Sequence, residues 1–308
     1  MRIVSLIDNV SRCECEAEHG LSLHIELDSG LKVLFDTGQS DLFARNAARL
    51  GIDLSQVDLA VISHGHYDHG GGINEFLRIN SKAPIYIRES ALEEHISSRQ
   101  EGKVDIGLKI DDINRLIFCN DIEELPCGIT LFSNPPATFP EPAGNRLLLG
   151  PDGQPDDFRH EQSMIIRETR CARHPDSTEG TSPIQRPESY QDSVILFGGC
   201  AHRGIVNILE KAQTLTSGSI SHVFSGMHLS RSVPDDPSTA DHRQSTDRQD
   251  ISTGHHNGYL SDLAAALQAF PGIEYFTMHC TGEPAFTQLA SLMSPHLHYL
   301  PCGSTITI

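Results

Sequence analysis

The segment Ser63-His64-Gly65-His66-Tyr67-Asp68-His69-Gly70-Gly71-Gly72 packs three histidines and an aspartate between positions 64 and 69. Upstream, Val57-Asp58-Leu59-Ala60-Val61-Ile62 reads as a buried strand, and the glycines open a helix at Ile73-Asn74-Glu75-Phe76-Leu77. A strand that empties into such a loop delivers imidazoles and a carboxylate at its carboxyl end, where open sheets build their sites. Neutral imidazole and carboxylate suit zinc, and equally manganese or iron, so the donor set names a divalent metal without choosing one. Alternate residues on an extended segment point the same way, so His64 and His66 can grip one ion. Asp68 and His69 are placed to serve a second beside it. A short loop cannot surround either ion, so later segments must add ligands.

The rest of the chain must supply that scaffold. At 308 residues, length alone allows one large domain or two small ones. The apolar share of 38%, with no tryptophan, suffices for a sizeable core diluted by polar insertions. With 41 acids against 23 bases, the net charge is −18. That field repels nucleic acid and anionic membrane, which leaves a small molecule as the expected partner and the oligomeric state open. It also tells against an exposed anion site unless a metal supplies local positive charge. The apolar run of Met1–Asp8 is too short for a signal-peptide core, and no run reaches membrane-spanning length. The eight cysteines are scattered without a C-x-x-C pair and read as thiols, so a cytoplasmic location is expected.

Strands are expected at residues 1–8, 21–27, 31–35, 57–62, 84–87, 116–119, 128–133, 162–168, 193–198, 221–226 and 273–278. Helices are expected over 39–50, 73–77, 89–99, 204–215, 257–269 and 284–293, with a closing strand pair in 297–308. Strand runs interleaved with helices, in two halves that each carry histidine motifs, fit two sheets packed face to face with helices outside. The stretches 169–192 and 230–256 are polar and proline-bearing, and read as loop insertions within a single domain spanning 1–308.

His64-x-His66-x-Asp68-His69 resembles the signature of the metallo-β-lactamase superfamily, whose members fold as an αββα sandwich, an α+β architecture, around one or two metals. Val33-Leu34-Phe35-Asp36-Thr37-Gly38 resembles its early strand ending in an aspartate. Glu18-His19-Gly20-Leu21-Ser22, Gly199-Cys200-Ala201-His202-Arg203-Gly204, Gly226-Met227-His228-Leu229 and His279-Cys280-Thr281-Gly282-Glu283 resemble a narrower branch. That branch contains 7,8-dihydropterin-6-methyl-4-(β-D-ribofuranosyl)aminobenzene-5′-phosphate synthase, of methanopterin biosynthesis. The resemblance implies that His202 completes the first site with His64 and His66, and that His279 completes the second with Asp68 and His69.

Asp36 is expected to orient a ligand histidine or the metal loop by accepting a hydrogen bond. His228 can be a ligand, a general acid or a substrate donor, and a non-ligand role is preferred. Where many of the family's hydrolases carry a Gly-Asp whose carboxylate bridges two metals, this chain has Gly199-Cys200. Cys200 is either a thiolate ligand or a small packing residue beside the site, and packing is preferred. Either His160 or Glu161 can stand in for the family's remaining histidine. Cys13-Glu14-Cys15 has the wrong spacing for a zinc clip and reads as solvent-side thiols. His255-His256 and His296-x-His298 read as surface histidines. Thr281 is a candidate cap of the helix that begins near Glu283, whose first N–H groups can hold an anion.

The first functional expectation is a hydrolase acting on a small phosphorylated or carboxylated molecule through metal-bound hydroxide, zinc being the first choice of metal. Asp68 then serves as base or second-metal ligand, and His228 stabilises developing negative charge. The branch resemblance implies a second possibility, condensation of a dihydropterin pyrophosphate with an aminobenzene ribotide. A non-catalytic metal-binding sensor is the third.

Overall fold

The computed structural model describes residues 1–99, 102–168, 193–230 and 254–308. The first half contributes β1 (Arg2–Ile7), β2 (Ser22–Glu26), β3 (Lys32–Phe35), α1 (Leu42–Arg49), β4 (Leu59–Val61), α2 (Tyr67–Gly70), α3 (Ile73–Ile79) and β5 (Ile85–Ile87). After it come β6 (Ile96–Arg99), β7 (Gly102–Asp105), β8 (Leu116–Phe118), β9 (Ile122–Leu125), β10 (Ile129–Ser133) and β11 (Leu148–Leu149). The second half runs β12 (Gln162–Glu168), β13 (Ser193–Phe197), α4 (Ile205–Thr214), β14 (Ile220–Ser225) and α5 (Gly254–Gln268). It ends with β15 (Glu274–Thr277), α6 (Glu283–Met293), β16 (Leu297–Tyr299) and β17 (Thr305–Thr307).

Two seven-stranded mixed sheets result, ordered β17-β1-β2-β3-β4-β5-β8 and β16-β15-β14-β13-β12-β10-β9. Their inner faces meet in one apolar layer, which holds Ile3, Val33, Phe35 and Val61 from the first sheet and Leu131, Ile166, Ile195 and Phe197 from the second. Alternation sends the intervening residues outward. Leu34 and Ala60 pack under Phe43 of α1 and Phe76 of α3, while Val194 and Leu196 pack under α4, α5 and α6. This is why β13 is an unbroken apolar run: both of its faces are covered, and each buried Leu, Ile or Phe contributes roughly 1.5–3 kcal/mol. The architecture is the expected αββα sandwich.

Three local expectations are corrected. Residues 89–99 do not form a helix; a 3-10 turn at Glu89–Leu92 leads into β6, which pairs antiparallel with β7 and β11 in a small third sheet. The last two strands do not pair with each other, since β16 lies beside β15 and β17 beside β1, one on the edge of each large sheet. The helix expected at 257 begins at Gly254, inside the stretch read as loop to 256. The loop readings for 169–192 and for 231–253 lie outside the described residues, as does the reading of the His255 and His256 side chains. Among the described residues, no helix is long and apolar enough to cross a membrane.

Candidate metal centre

β3 and β4 run parallel, so their carboxyl ends deliver Asp36 and Ser63 side by side. Asp36 is fully buried with φ +59°. Its Oδ1 accepts the Ser63 N–H at 2.7 Å, and its Oδ2 accepts the Ser63 hydroxyl at 2.7 Å and His69 Nδ1 at 2.6 Å. Ser63 Oγ has given its proton to Asp36, so at 2.9 Å it accepts from His64 Nδ1. One carboxylate thus orients two imidazoles, leaving His64 Nε2 without a hydrogen-bond partner and His69 Nε2 beside Cys200.

His64, His66 and His202 come together with one ring nitrogen of each within 4.8 Å of the others. His202 Nδ1 donates to Asn145 Oδ1 at 3.1 Å, and Phe158 stacks on the imidazole at 4.6 Å. The Nε2 atoms of all three are buried without a hydrogen-bond partner. Glu161 holds the backbone that carries His202, accepting the N–H of His202 at 2.7 Å and of Arg203 at 2.9 Å. Burial raises Glu161 to about 7, even though those two N–H groups favour its charged form. His160 Nδ1 accepts the Gly65 N–H at 3.0 Å, so its proton sits on Nε2 and points to Asp156 at 3.2 Å. Both residues considered as stand-in ligands thus brace ligand-bearing loops, and His160 also converges with His66, His95 and Asp156 in a group of donors that could hold a metal.

Asp68 Oδ2 faces His279 Nε2 at 3.2 Å and His19 Nε2 at 3.1 Å. Asn9 sets both imidazoles: its Oδ1 accepts from His279 Nδ1 at 2.8 Å and from the Gly20 N–H at 3.2 Å, while its Nδ2 donates to His19 Nδ1 at 3.3 Å. His19 therefore donates to Asp68, and His279 Nε2 faces the same carboxylate oxygen. His69 Nε2 lies 3.1 Å from Cys200 Sγ. Cys200 sits centrally, its sulfur grouping with His64 and His69, with His202 and His228, and with His279 and Cys280. Gly199 permits this approach, because a Cβ there would overlap the Ser63 side chain and come within 3.1 Å of His64 Nδ1. His228 has both ring nitrogens buried without a partner and stands 4.3 Å, ring to ring, from His202.

The donor set fits a metal. Burial, and then the neighbouring imidazoles, hold His64, His66 and His202 well below the ordinary histidine value, so their lone pairs are free near neutrality. Burial opposes the charge on Asp68, but hydrogen bonds from His19 and His279 keep it ionised. For His69, burial acts downward but the Asp36 charge and hydrogen bond raise it to about 9, so metal uptake there must release a proton. Asp36, Phe158, Ala201, His228 and His279 all adopt positive φ without being glycine, which places local backbone strain around one site.

All six histidine and aspartate positions expected as ligands, together with His228, line this one cleft. His19, Asn9, Asn145 and Cys280 were not assigned roles from sequence; for His19 and Cys280 the adjacent Glu18-His19-Gly20 and His279-Cys280 motifs were the available signal. Thr281 is not the helix cap. Gly282 precedes α6 with no side-chain cap, and the Thr281 hydroxyl accepts the Met227 N–H at 2.9 Å. His296 and His298 pinch Glu274 at the surface, at 2.7 and 2.8 Å.

An αββα sandwich with imidazole, carboxylate and thiol groups gathered at the strand ends gives a class of protein whose cleft could hold metal ions. The metallo-beta-lactamase superfamily model matches residues 18–160. A solved structure, Tm1679, described as a metal-dependent hydrolase of the beta-lactamase superfamily, superposes with a TM-score of 0.72 at 26% identity, covering 100% of this chain and 99% of the other. The chain thus resembles the metallo-beta-lactamase superfamily in sequence over residues 18–160, and one of its solved hydrolases in fold over the whole chain. Two Methanocaldococcus jannaschii proteins are similar in sequence. An uncharacterized one is 25% identical over 93% of each chain. The other, 7,8-dihydropterin-6-methyl-4-(beta-D-ribofuranosyl)-aminobenzene-5'-phosphate synthase, is 26% identical over 69% of this chain and 71% of its own.

Proposed function

We propose that the chain is a metal-dependent hydrolase of a small phosphorylated or carboxylated molecule. The observation that carries this reading is the set of buried, unpartnered Nε2 atoms on His64, His66 and His202, beside the ionised Asp68. His64, His66 and His202 would hold one divalent ion, zinc being the first choice, and Asp68, His69 and His279 a second. When bound, such ions act as Lewis acids toward an ester or phosphoester and acidify water. The chain's own groups do the rest. Where only the first ion is bound, Asp68, steered by His19 and His279, takes a proton from the attacking nucleophile, and His19, half-exposed, passes it toward solvent. His228, with no internal partner, is free to donate to developing negative charge on the substrate. Turnover of generic phosphodiesters and esters by metal-loaded protein, lost in Asp68→Asn, tests the reading; no turnover of any member of such a panel counts against it.

One feature favours a second reading, transfer instead of hydrolysis. Cys200 occupies the central position with no aspartate at the end of β13, and the dihydropterin synthase is among the relatives. In that reading the bound ions would neutralise a pyrophosphate leaving group as the methylene carbon gives up its bond to that group and bonds to an arylamine ribotide, whose proton goes to solvent. Pyrophosphate release that requires the aromatic co-substrate would favour transfer; release without it favours hydrolysis.

A further inference from the structure

A second donor cluster lies away from the imidazoles, where the loop after β1 meets the C-terminal segment. Cys302 N donates to Val10 O at 2.8 Å, and Ser11 and Cys302 form a parallel bridge, so the loop and residues 300–304 are laced together. This brings Cys13 and Cys15 against Cys302, across nearly the whole length of the chain. Cys13 is exposed, whereas Cys15 and Cys302 are 6% and 1% exposed. Spacing alone read the first two as solvent-side thiols; Cys15 is instead buried, and a third sulfur reaches it from a distant segment. The Cys13 thiol lies 3.4 Å from Cys302 O, and the Cys302 thiol lies 3.5 Å from the carbonyl of Glu16, the residue after Cys15. Gly303 lets the sulfurs close over the backbone, since a Cβ there would overlap Cys13 Sγ and lie 3.3 Å from Cys15 Sγ.

Donors around Cys13 favour its thiolate, whereas burial raises Cys15 and Cys302, whose protons a bound cation must displace. The Cys15 N–H points to Cys13 Sγ at 3.3 Å and the Ser11 hydroxyl lies 3.8 Å from it, while Asn46 Nδ2 donates to Cys302 Sγ at 3.4 Å. Burial raises Cys13, yet the Cys15 N–H, the Ser11 hydroxyl and the Cys15 thiol together bring it below the ordinary thiol value. Convergent sulfurs without imidazole or carboxylate among them select soft cations over Mg2+ or Mn2+.

We propose that Cys13, Cys15 and Cys302 bind one thiophilic closed-shell cation of the Zn2+ and Cu+ class, entering past exposed Cys13. Binding displaces the three thiol protons to solvent and involves no change of oxidation state. The bound ion pins residues 9–20 to the C-terminal segment. That loop carries Asn9 and His19, which set His279 and Asp68. The site is thereby a structural clamp on one wall of the histidine cleft, and its existence does not depend on what the cleft catalyses.

Cd2+ is the probe, because cadmium–thiolate absorbance reports sulfur ligation directly. Metal-stripped, reduced full-length protein, Cys13→Ser and Cys302→Ser are titrated in parallel. Both variants should lose one thiolate-bound cadmium equivalent, or bind it at least about tenfold more weakly, which is the lower end of what losing even a supporting group costs a metal site. Cys13 is exposed, so Cys13→Ser decides the matter even if Cys302→Ser does not fold. Equal cadmium uptake and equal absorbance in Cys13→Ser and wild type would overturn the proposal. So would a Cys15–Cys302 disulfide peptide recovered from protein whose cadmium uptake is unaffected by Cys13→Ser, which would assign the cluster to redox chemistry.

Discussion

Asp36 Oδ2 lies 2.6 Å from His69 Nδ1, and the same oxygen takes the Ser63 hydroxyl that in turn receives His64 Nδ1. A single buried carboxylate therefore orients one candidate ligand from each of the two donor groups.

Asp36→Asn isolates that charge. Asparagine tolerates the left-handed backbone at φ +59°, so the fold should survive the exchange. Its single acceptor oxygen cannot serve both the Ser63 N–H on one side and the Ser63 hydroxyl and His69 on the other, and metal affinity should fall by roughly 10–100-fold. Isothermal titration of metal-stripped protein measures this; unchanged affinity would show that Asp36 is structural alone.

Glu161→Gln addresses the loop that presents His202. The two N–H groups of His202 and Arg203 both point at the carboxylate, and the amide would set an NH2 against one of them. A loss of metal from the His202 side is expected, with folding retained. Metal content and circular dichroism on the same sample check it, and full occupancy would contradict it.

Cys200 stands between the donor groups, and we propose that it ligates as thiolate instead of packing beside the site as expected. Cys200→Ala and Cys200→Ser should each lose a metal ion, since neither supplies a thiolate. Retention within a few-fold in both would restore the packing reading.

His24 supplies a pH dependence remote from the cleft. It is 2% exposed, with both ring nitrogens unpartnered, and alternation in β2 turns it away from the layer holding Leu23 and Ile25. Burial lowers it from 6.5 to about 4. The unfolded chain takes the proton first, so the neutral residue's contribution is intact above about 6.5 and is lost as pH falls toward 4, by about 2 kcal/mol near pH 5. Urea denaturation near pH 5 and near pH 7.5 should show His24→Leu losing less stability on acidification than wild type. Equal losses would mean that His24 carries no such penalty.

Much of the fold was legible because both faces of the central strands are covered and their apolar runs are unbroken. The helix expected at 89–99 failed because Ile96 and Ser97 take partners from Leu148 and Leu149, a distant pairing that local pattern cannot carry. Likewise, Leu297 and Thr305 looked like a hairpin, yet each is claimed by a different sheet edge. β9 was missed because Glu123 and Glu124 make it polar, as suits an edge strand. In the cleft, histidines at strand ends announced themselves. Asn9 did not, since an asparagine near a strand end carries no signal until His19 and His279 converge on it.

The central claim is that the cleft holds a divalent metal through His64 and His66. Elemental analysis of protein purified without added metal, beside a His64→Ala, His66→Ala variant that retains the wild-type circular dichroism spectrum, tests it most directly. The account predicts stoichiometric metal in the wild type and at least one equivalent fewer in the variant, because removing both imidazoles leaves His202 alone at that position. Equal metal content in the two proteins would contradict it.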